Sequence, residues 1–220
     1  MSRARYDGIA DWYDKEFLDD GVAAVSEIVL QLLGQDTGSL LDVGCGTGAH
    51  SLVLRDHGWD VVGLDASDDM LRLARARGLH VVRADAANLP FDDESFAAAV
   101  SIWTHTDVDA FTKVVAEVAR VLRRGGPFVY LGAHPCFVGP HSRFPHAAGV
   151  PELHPGYRRA GRYTDAPGVT PTGLRAKVGA VHLPLQDFLG AFLDGGLRLE
   201  RFHEPQPREY PYMVAMRWRR

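Results

Sequence analysis

Apolar and polar positions along the first 133 residues alternate in a way that predicts a repeat of strands and helices. Short apolar runs, typical of buried strands, are separated by segments whose apolar positions recur at helical spacing. Strand-forming runs lie at residues 39–44, 59–65, 80–85, 96–103 and 127–133. Such alternation predicts a parallel sheet with helices on both faces, because each parallel crossover needs a connecting segment of helical length.

The pattern changes after the fifth predicted strand. Residues 134–179 hold seven of the thirteen prolines and show no regular periodicity. An irregular stretch of this length inside a domain is usually functional, so we expect an insertion at 134–180 that acts as a lid over the substrate.

Regular periodicity returns near the C-terminus, with a helical pattern at 183–196 and two alternating strands at 197–204 and 212–219. The short polar segment between these strands predicts an antiparallel pair at the sheet edge. The expected fold class is therefore α/β: a doubly wound, mostly parallel, seven-stranded, Rossmann-like sheet with an antiparallel last strand. We expect one domain over 1–220, in which residues 1–35 form an N-terminal cap.

Composition narrows the possible partners. The net charge is −4 and no block of like charges occurs, which argues against a nucleic-acid partner. Two cysteines cannot build a disulfide framework or a zinc site by themselves. No apolar run approaches the roughly 20 residues that span a bilayer. We expect a soluble cytoplasmic protein, monomer or homodimer, with no membrane partner and no metal.

Three glycines, Gly44, Gly46 and Gly48, cluster in the stretch LDVGCGTGAHS at 41–51. They follow a predicted strand and precede a predicted helix. Backbone N–H groups point outward at such a helix start, and small residues let a ligand lie against the main chain. The stretch therefore predicts a binding corner for a nucleotide-containing cofactor.

Two acidic residues help to choose between cofactors. Asp65 ends the second predicted strand, where a carboxylate can accept hydrogen bonds from both hydroxyls of a ribose. The spacing of Gly44, Gly46 and Ala49 also meets the dinucleotide fingerprint, so an NAD(P)-dependent oxidoreductase is an alternative. Asp42 lies two residues before Gly44, however, where its charge disfavours a pyrophosphate and suits a ligand with a free ammonium group.

Four stretches together resemble the motifs of the class I, seven-stranded S-adenosylmethionine-dependent methyltransferases: LLDVGCGTG, VVGLDAS, RADAANLPFDDESFAAAVS and RVLRRGGPFVYLG. The closest likeness is to the small-molecule group typified by ubiquinone and menaquinone methyltransferases. The resemblance implies S-adenosyl-L-methionine as cofactor, S-adenosyl-L-homocysteine as product and a small-molecule acceptor. A protein that binds this cofactor without catalysis is a further alternative.

The resemblance also implies which residues contact the cofactor. Those residues are Tyr13, Asp42, Gly44, Cys45, Gly46, Gly48, Asp65, Ala66, Met70, Asp85, Ala86 and Ser101. Tyr13 would cap the cofactor, Asp42 would lie near its amino group and Asp65 would hold the ribose. Asp85 would accept a hydrogen bond from the adenine amino group.

Two histidines are candidates for a general base. Methyl transfer from a sulfonium is an in-line displacement that needs alignment and exclusion of water. A hydroxyl or acidic carbon acceptor also benefits from a base, and histidine titrates near neutral pH. His105 and His134 follow the fourth and fifth predicted strands, at the sheet edge where an acceptor is expected, and we predict that they are catalytic.

Overall fold

The computed structural model describes residues 4–16, 18, 21–145, 149–205 and 209–220. Eleven strands occur in these ranges: β1 (Ser39–Val43), β2 (Asp60–Asp65), β3 (His80–Arg83), β4 (Ala98–Ile102), β5 (Pro127–Ala133), β6 (Ser142–Arg143), β7 (Glu152–Leu153), β8 (Gly161–Tyr163), β9 (Ala180–His182), β10 (Arg198–His203) and β11 (Met213–Arg219). The helices of the same ranges are α1 (Ala10–Glu16), α2 (Gly21–Leu33), α3 (Ala49–Asp56), α4 (Asp68–Ala76), α5 (Phe111–Val121), α6 (Leu174–Val178) and α7 (Leu185–Asp194).

Seven of these strands form one sheet, in the order β10-β11-β5-β4-β1-β2-β3. Strand β1 runs parallel to its neighbours β2 and β4, and the outer pairs β2–β3 and β4–β5 are also parallel. Strand β11 runs antiparallel to both β5 and β10. The predicted fold class, including the antiparallel last strand, is confirmed.

Each face of the sheet is covered by its own helices, as the alternating pattern predicts. Buried side chains of α5 and α7, such as Val118 and Phe192, pack on one face together with Trp218. Buried side chains of α2 and α3, such as Val29 and Leu54, pack on the other. Both faces of β1 and β4 are covered, and this explains why almost every position of these strands is buried.

The insertion is more regular than the sequence predicts. Strand β6 pairs with β7, and β8 pairs with β9, both antiparallel, while α6 precedes β9. These strands are two or three residues long, too short for an alternating pattern to be visible in the sequence. Residues 146–148 of the predicted lid and 1–3, 17, 19 and 20 of the predicted cap lie outside the described residues.

None of the helices in the described ranges is both long enough and apolar enough to cross a membrane.

Candidate functional site

A cavity of about 600 Å³ lies at the carboxyl ends of β1, β2, β3 and β4. This is where ligands bind in open α/β sheets, because the loops after adjacent parallel strands meet there. Eight of the residues predicted to contact a cofactor line it: Tyr13, Gly44, Gly46, Asp65, Ala66, Met70, Asp85 and Ala86. The other four, Asp42, Cys45, Gly48 and Ser101, do not line it.

The glycines after β1 serve different purposes. Gly46 has φ +55°, and a Cβ added to it would meet no atom within 4 Å. Gly48 begins α3 with φ +81°, and a Cβ there would lie 3.1 Å from the Ala74 Cβ and closer still to Leu79. Gly46 thus leaves the main chain open to the cavity, whereas Gly48 lets α3 pack against α4 and the segment after it.

Asp65, the last residue of β2, joins the glycine loop to the next helix. Its Oδ2 accepts a hydrogen bond from the Gly46 N–H at 3.0 Å, and its Oδ1 accepts one from the Ser67 N–H at 2.9 Å. Burial raises its pKa, and these backbone donors oppose that rise. The carboxylate is therefore fixed at the cavity wall, with one lone pair of each oxygen already used.

Asp42 and Cys45 lie behind the cavity wall. The Ser51 hydroxyl donates to Asp42 Oδ2 at 2.5 Å, and burial raises the pKa of Asp42 to about 6. The Cys45 side chain is buried against Gly63, where a Cβ would lie 2.8 Å from its Sγ. Burial also raises the pKa of the thiol, so Cys45 is a packing residue rather than a nucleophile.

We expect Asp42 to make stability depend on pH. Its ordinary pKa of 3.8 rises to about 6 in the folded protein, so the folded state holds the proton more tightly. The resulting stabilisation is complete below pH 4 and is lost as the pH rises through 6. Asp42→Asn should remove about 2 kcal/mol of this pH dependence, measured as the difference in denaturant unfolding between pH 4 and pH 7. An equal slope in the variant and the wild type would contradict the burial of an ionisable group at this position.

The far end of the cavity is formed by the turn after β3. This strand ends at Arg83, two residues earlier than predicted, so Asp85 lies in the turn rather than in the strand. Asp85 Oδ1 accepts a hydrogen bond from the Ala87 N–H at 2.9 Å. Asp85 and Ala86 both line the cavity, on the side expected for an adenine ring.

Two hydroxyls at or near the glycine loop are buried without a hydrogen-bond partner among the described residues, those of Thr47 and Ser101. Ser101 lies in the middle of β4 and is away from the cavity, although the sequence predicts it as a contact. Thr47 is not among the contacts predicted from the sequence. Its position between two glycines of the loop could have drawn attention to it.

Residues of the N-terminal segment line the cavity. Tyr6 and Tyr13 both line it and meet edge to face, with ring centroids 5.7 Å apart. Burial raises the pKa of Tyr13 to about 12 and raises the pKa of Tyr6 as well. Both phenols therefore carry their protons at neutral pH.

Ion pairs and hydrogen bonds hold this cap to α4 and its C-terminal end. The Gly8 N–H donates to Asp69 Oδ2 at 2.6 Å. The Arg77 guanidinium donates to both oxygens of Asp14, at 2.9 and 3.0 Å. The same guanidinium donates to the Thr47 carbonyl at 2.8 Å, so cap and glycine loop share one anchor.

The loop after β4 forms the opposite wall. Trp103, its first residue, lines the cavity with a backbone φ of +62°, a left-handed conformation that is costly for a side chain of this size. Asp107 follows in the same wall, and its Oδ1 accepts hydrogen bonds from the Tyr6 hydroxyl at 3.1 Å and from Arg175 at 3.0 Å. Burial raises the pKa of Asp107, while Arg175 opposes the rise.

The N-terminal cap and the insertion both contact this loop. Arg5 of the cap and Arg162 of the insertion pair with Asp109, at 2.5 and 2.8 Å. Asp107 contacts the same two segments through Tyr6 and Arg175. None of the described residues of the insertion lines the cavity, so its role as a lid stays a prediction.

Neither predicted catalytic histidine lines the cavity. His105 is buried, its Nδ1 shares a hydrogen bond with the Tyr130 hydroxyl, and burial lowers its pKa to about 3. His134 is buried as well; its Nδ1 accepts from the Cys136 N–H at 3.2 Å and its Nε2 lies 3.0 Å from Glu204 Oε1. Burial also lowers the pKa of His134. The catalytic role of both stays a prediction, and this geometry does not support it.

Among the residues that the structure describes, no three histidine, cysteine or acidic side chains come close enough together to hold a metal ion.

Comparison with known proteins agrees with this geometry. Residues 41–130 match the family described as the methyltransferase domain. An uncharacterized protein of Methanocaldococcus jannaschii is 33% identical over 130 residues, which are 59% of this chain and 50% of that protein. The phthiotriol/phenolphthiotriol dimycocerosates methyltransferase of Mycobacterium tuberculosis is 40% identical over 102 residues, 44% of this chain and 38% of the relative. The chain thus spans half or less of the length of these curated relatives.

A solved structure extends the likeness to the whole chain. The S-adenosylmethionine-dependent methyltransferase of Mesorhizobium loti superimposes with a TM-score of 0.72 at 24% identity, over 97% of this chain and 99% of that one. The two proteins share the fold. These comparisons agree with the methyltransferase class and the fold that the sequence predicts.

Proposed function

We propose that the protein is an S-adenosylmethionine-dependent methyltransferase that acts on a small-molecule acceptor. One observation carries the proposal: the unobstructed backbone at Gly46 and the fixed carboxylate of Asp65 lie together in the same wall of the cavity. A nucleoside cofactor fits this wall. Its ribose hydroxyls can donate hydrogen bonds to the carboxylate, while the rest of the cofactor lies along the exposed protein backbone.

The charges around the cavity favour this cofactor over a dinucleotide. Among the described residues, four carboxylates and two guanidiniums line the cavity: Asp65, Asp85, Asp107, Asp109, Arg5 and Arg83. Asp107 is paired with Arg175, Asp109 with Arg5 and Arg162, and Arg83 with Asp68, which leaves Asp65 and Asp85 without an arginine partner in the described part of the chain. These two carboxylates disfavour a pyrophosphate and favour a positively charged ligand.

We propose that residues of the cavity bind and orient the cofactor and exclude water. S-adenosylmethionine, when bound, supplies an electrophilic methyl group on a positively charged sulfur. Asp65 and Asp85 are proposed to hold its nucleoside, and Asp42 to bias the site toward an ammonium group from behind the loop. Tyr13 and Trp103 offer aromatic faces to a cation, and the cap excludes water from the reacting centre.

The acceptor is proposed only as a small molecule. The mycobacterial relative is named for methylating phthiotriol and phenolphthiotriol dimycocerosates, which supports a hydroxyl-bearing or lipid-like acceptor without identifying one. The proposal also includes three properties from the sequence analysis. The protein is similar to ubiquinone and menaquinone methyltransferases, it is cytoplasmic, and it is a monomer or homodimer that binds no nucleic acid.

Calorimetry of the purified protein tests the function. We expect S-adenosylmethionine and S-adenosylhomocysteine to bind at a single site with micromolar or tighter affinity, and NADH and NADPH to show no binding. Mass spectrometry of reactions with candidate acceptors should detect S-adenosylhomocysteine together with a product heavier by one methyl group. Binding of a nicotinamide cofactor in place of S-adenosylmethionine would overturn the proposal, and cofactor binding without turnover on any acceptor would favour the non-catalytic alternative.

A further inference from the structure

We propose that Asp107 positions the methyl acceptor by accepting a hydrogen bond from the acceptor's hydroxyl or amine on Oδ2. This inference rests on the proposed methyltransferase function and adds to it a substrate class and a residue that contacts the substrate. Three observations support it: the position of the loop after β4 along the cavity, the hydrogen bonds of Asp107, and the aromatic side chains around Asp107.

The cavity runs across four adjacent strand ends, so its two ends can be told apart. Asp85 follows β3 and Asp65 ends β2, which assigns that side to the nucleoside. Strand β4 lies on the opposite side of β1 from β2. Asp107, in the loop after β4, is therefore at the end left for the acceptor.

The two oxygens of Asp107 differ in their hydrogen bonding. Oδ1 accepts from Tyr6 and from Arg175, at 3.1 and 3.0 Å. Among the described residues, Oδ2 has only the Thr106 hydroxyl, at 3.4 Å, and that hydroxyl also lies 3.3 Å from the Trp103 carbonyl. A hydroxyl has one proton to give, so Oδ2 keeps unused capacity to accept a hydrogen bond.

The contacts on Oδ1 fix the carboxylate without blocking Oδ2. The Tyr6 phenol keeps its proton, because burial raises its pKa, and it therefore acts as a donor. The Asp107–Arg175 pair holds the side chain in one orientation, and the Asp107 side chain keeps 24% of its surface exposed. A preorganised acceptor of this kind selects groups that can donate a hydrogen bond.

The surroundings define the acceptor class. Arg175 already compensates the charge of Asp107, so the site does not require a cation. Tyr6, Tyr13 and Trp103 supply aromatic surface for an apolar body. The class is a compact molecule with a neutral hydroxyl or amine on an apolar, preferably aromatic, frame. An acceptor methylated at a carbon that carries no donor group falls outside it.

Three small probes test the class directly: phenol, aniline and anisole. Anisole has the ring and the oxygen of phenol but no donor. Dissociation constants are measured by ligand-observed NMR on the full chain saturated with S-adenosylhomocysteine. We expect phenol or aniline to bind at least about tenfold more tightly than anisole, and whichever of the two is favoured indicates oxygen or nitrogen as the accepting atom.

The variant Asp107→Ala should abolish this preference while the dissociation constant for S-adenosylhomocysteine changes less than about threefold. If that variant does not fold, Asp107→Asn keeps the shape of the side chain and should reduce the preference. The matched control is Glu200→Ala. Glu200 also pairs with an arginine, has 19% of its side chain exposed against 24% for Asp107, and does not line the cavity.

The control should keep the wild-type preference. Equal binding of the three probes to the wild type, no detectable binding of either donor probe, or the same loss of preference in both alanine variants would each overturn the proposal. Failure of the wild type to bind S-adenosylhomocysteine contradicts the proposed function instead, so the two failures are separate.

Discussion

Replacement of Asp65 by alanine is expected to weaken S-adenosylmethionine binding by about 100-fold. The carboxylate lines the cavity at the end of β2, where it can accept hydrogen bonds from two ribose hydroxyls. Each hydrogen bond to a charged group contributes roughly 1.5–3 kcal/mol, and partial replacement by water reduces the sum. Calorimetric titration with S-adenosylmethionine measures the loss.

The same substitution should also lower stability. It removes the acceptor of the Gly46 and Ser67 N–H groups, so part of any loss in binding can come from a displaced glycine loop. Asp65→Asn separates the two effects, because the amide oxygen still accepts one of these bonds.

A control on the same strand is available for Asp65. Asp60→Ala alters an exposed aspartate at the start of β2 and should leave affinity unchanged. An unchanged affinity in Asp65→Ala, or an equal loss in Asp60→Ala, would contradict the ribose assignment.

The part of the predicted site that the structure brings together at the cavity is largely local in the chain. The glycine loop and Asp65 belong to a strand–loop–helix–strand unit, and the parallel pairing of β1 with β2 places the ends of these strands side by side. Five of the eight predicted contacts that line the cavity lie in this unit or shortly after it: Gly44, Gly46, Asp65, Ala66 and Met70. Asp42 and Ser101 lie within strands, so the sheet holds their side chains behind the wall.

The acceptor end could not be predicted in the same way. Asp107 acquires its orientation from Arg175, 68 residues later in the irregular insertion, and from Tyr6, 101 residues earlier. No periodicity links such positions. His105 shows the same limit, because it follows β4 as the prediction requires, but its side chain lies in the core against Tyr130 and other aromatic rings.

The cap and the insertion are linked by contacts that the sequence pattern does not show. The sequence predicts a cap and a lid as separate segments, whereas in the structure both contact Asp107 and Asp109. These contacts are long-range ion pairs and hydrogen bonds, which a linear pattern of apolar positions does not encode.

Two of the three glycines of the loop, Gly46 and Gly48, should respond differently to alanine, and this difference tests why the glycines are clustered. Gly48→Ala is expected to cost about 3–4 kcal/mol of folding stability. The new Cβ would press on Ala74 and Leu79, and the residue would have to keep φ at +81°. Gly46→Ala should cost only about 1 kcal/mol, since its Cβ meets no atom within 4 Å and only the left-handed backbone is strained.

The affinity for S-adenosylhomocysteine should rank the two variants in the opposite order, with the larger loss in Gly46→Ala. The methyl group of Gly46→Ala projects into the space that the bare main chain leaves for the cofactor, so we expect at least about a tenfold loss of affinity. The fraction of Gly48→Ala that folds should bind within about threefold of the wild type, because that glycine does not line the cavity. Denaturant unfolding and calorimetry on the two variants measure both quantities. Wild-type affinity in Gly46→Ala would mean that no ligand approaches the loop at this point, and the cofactor would then have to lie elsewhere in the cavity.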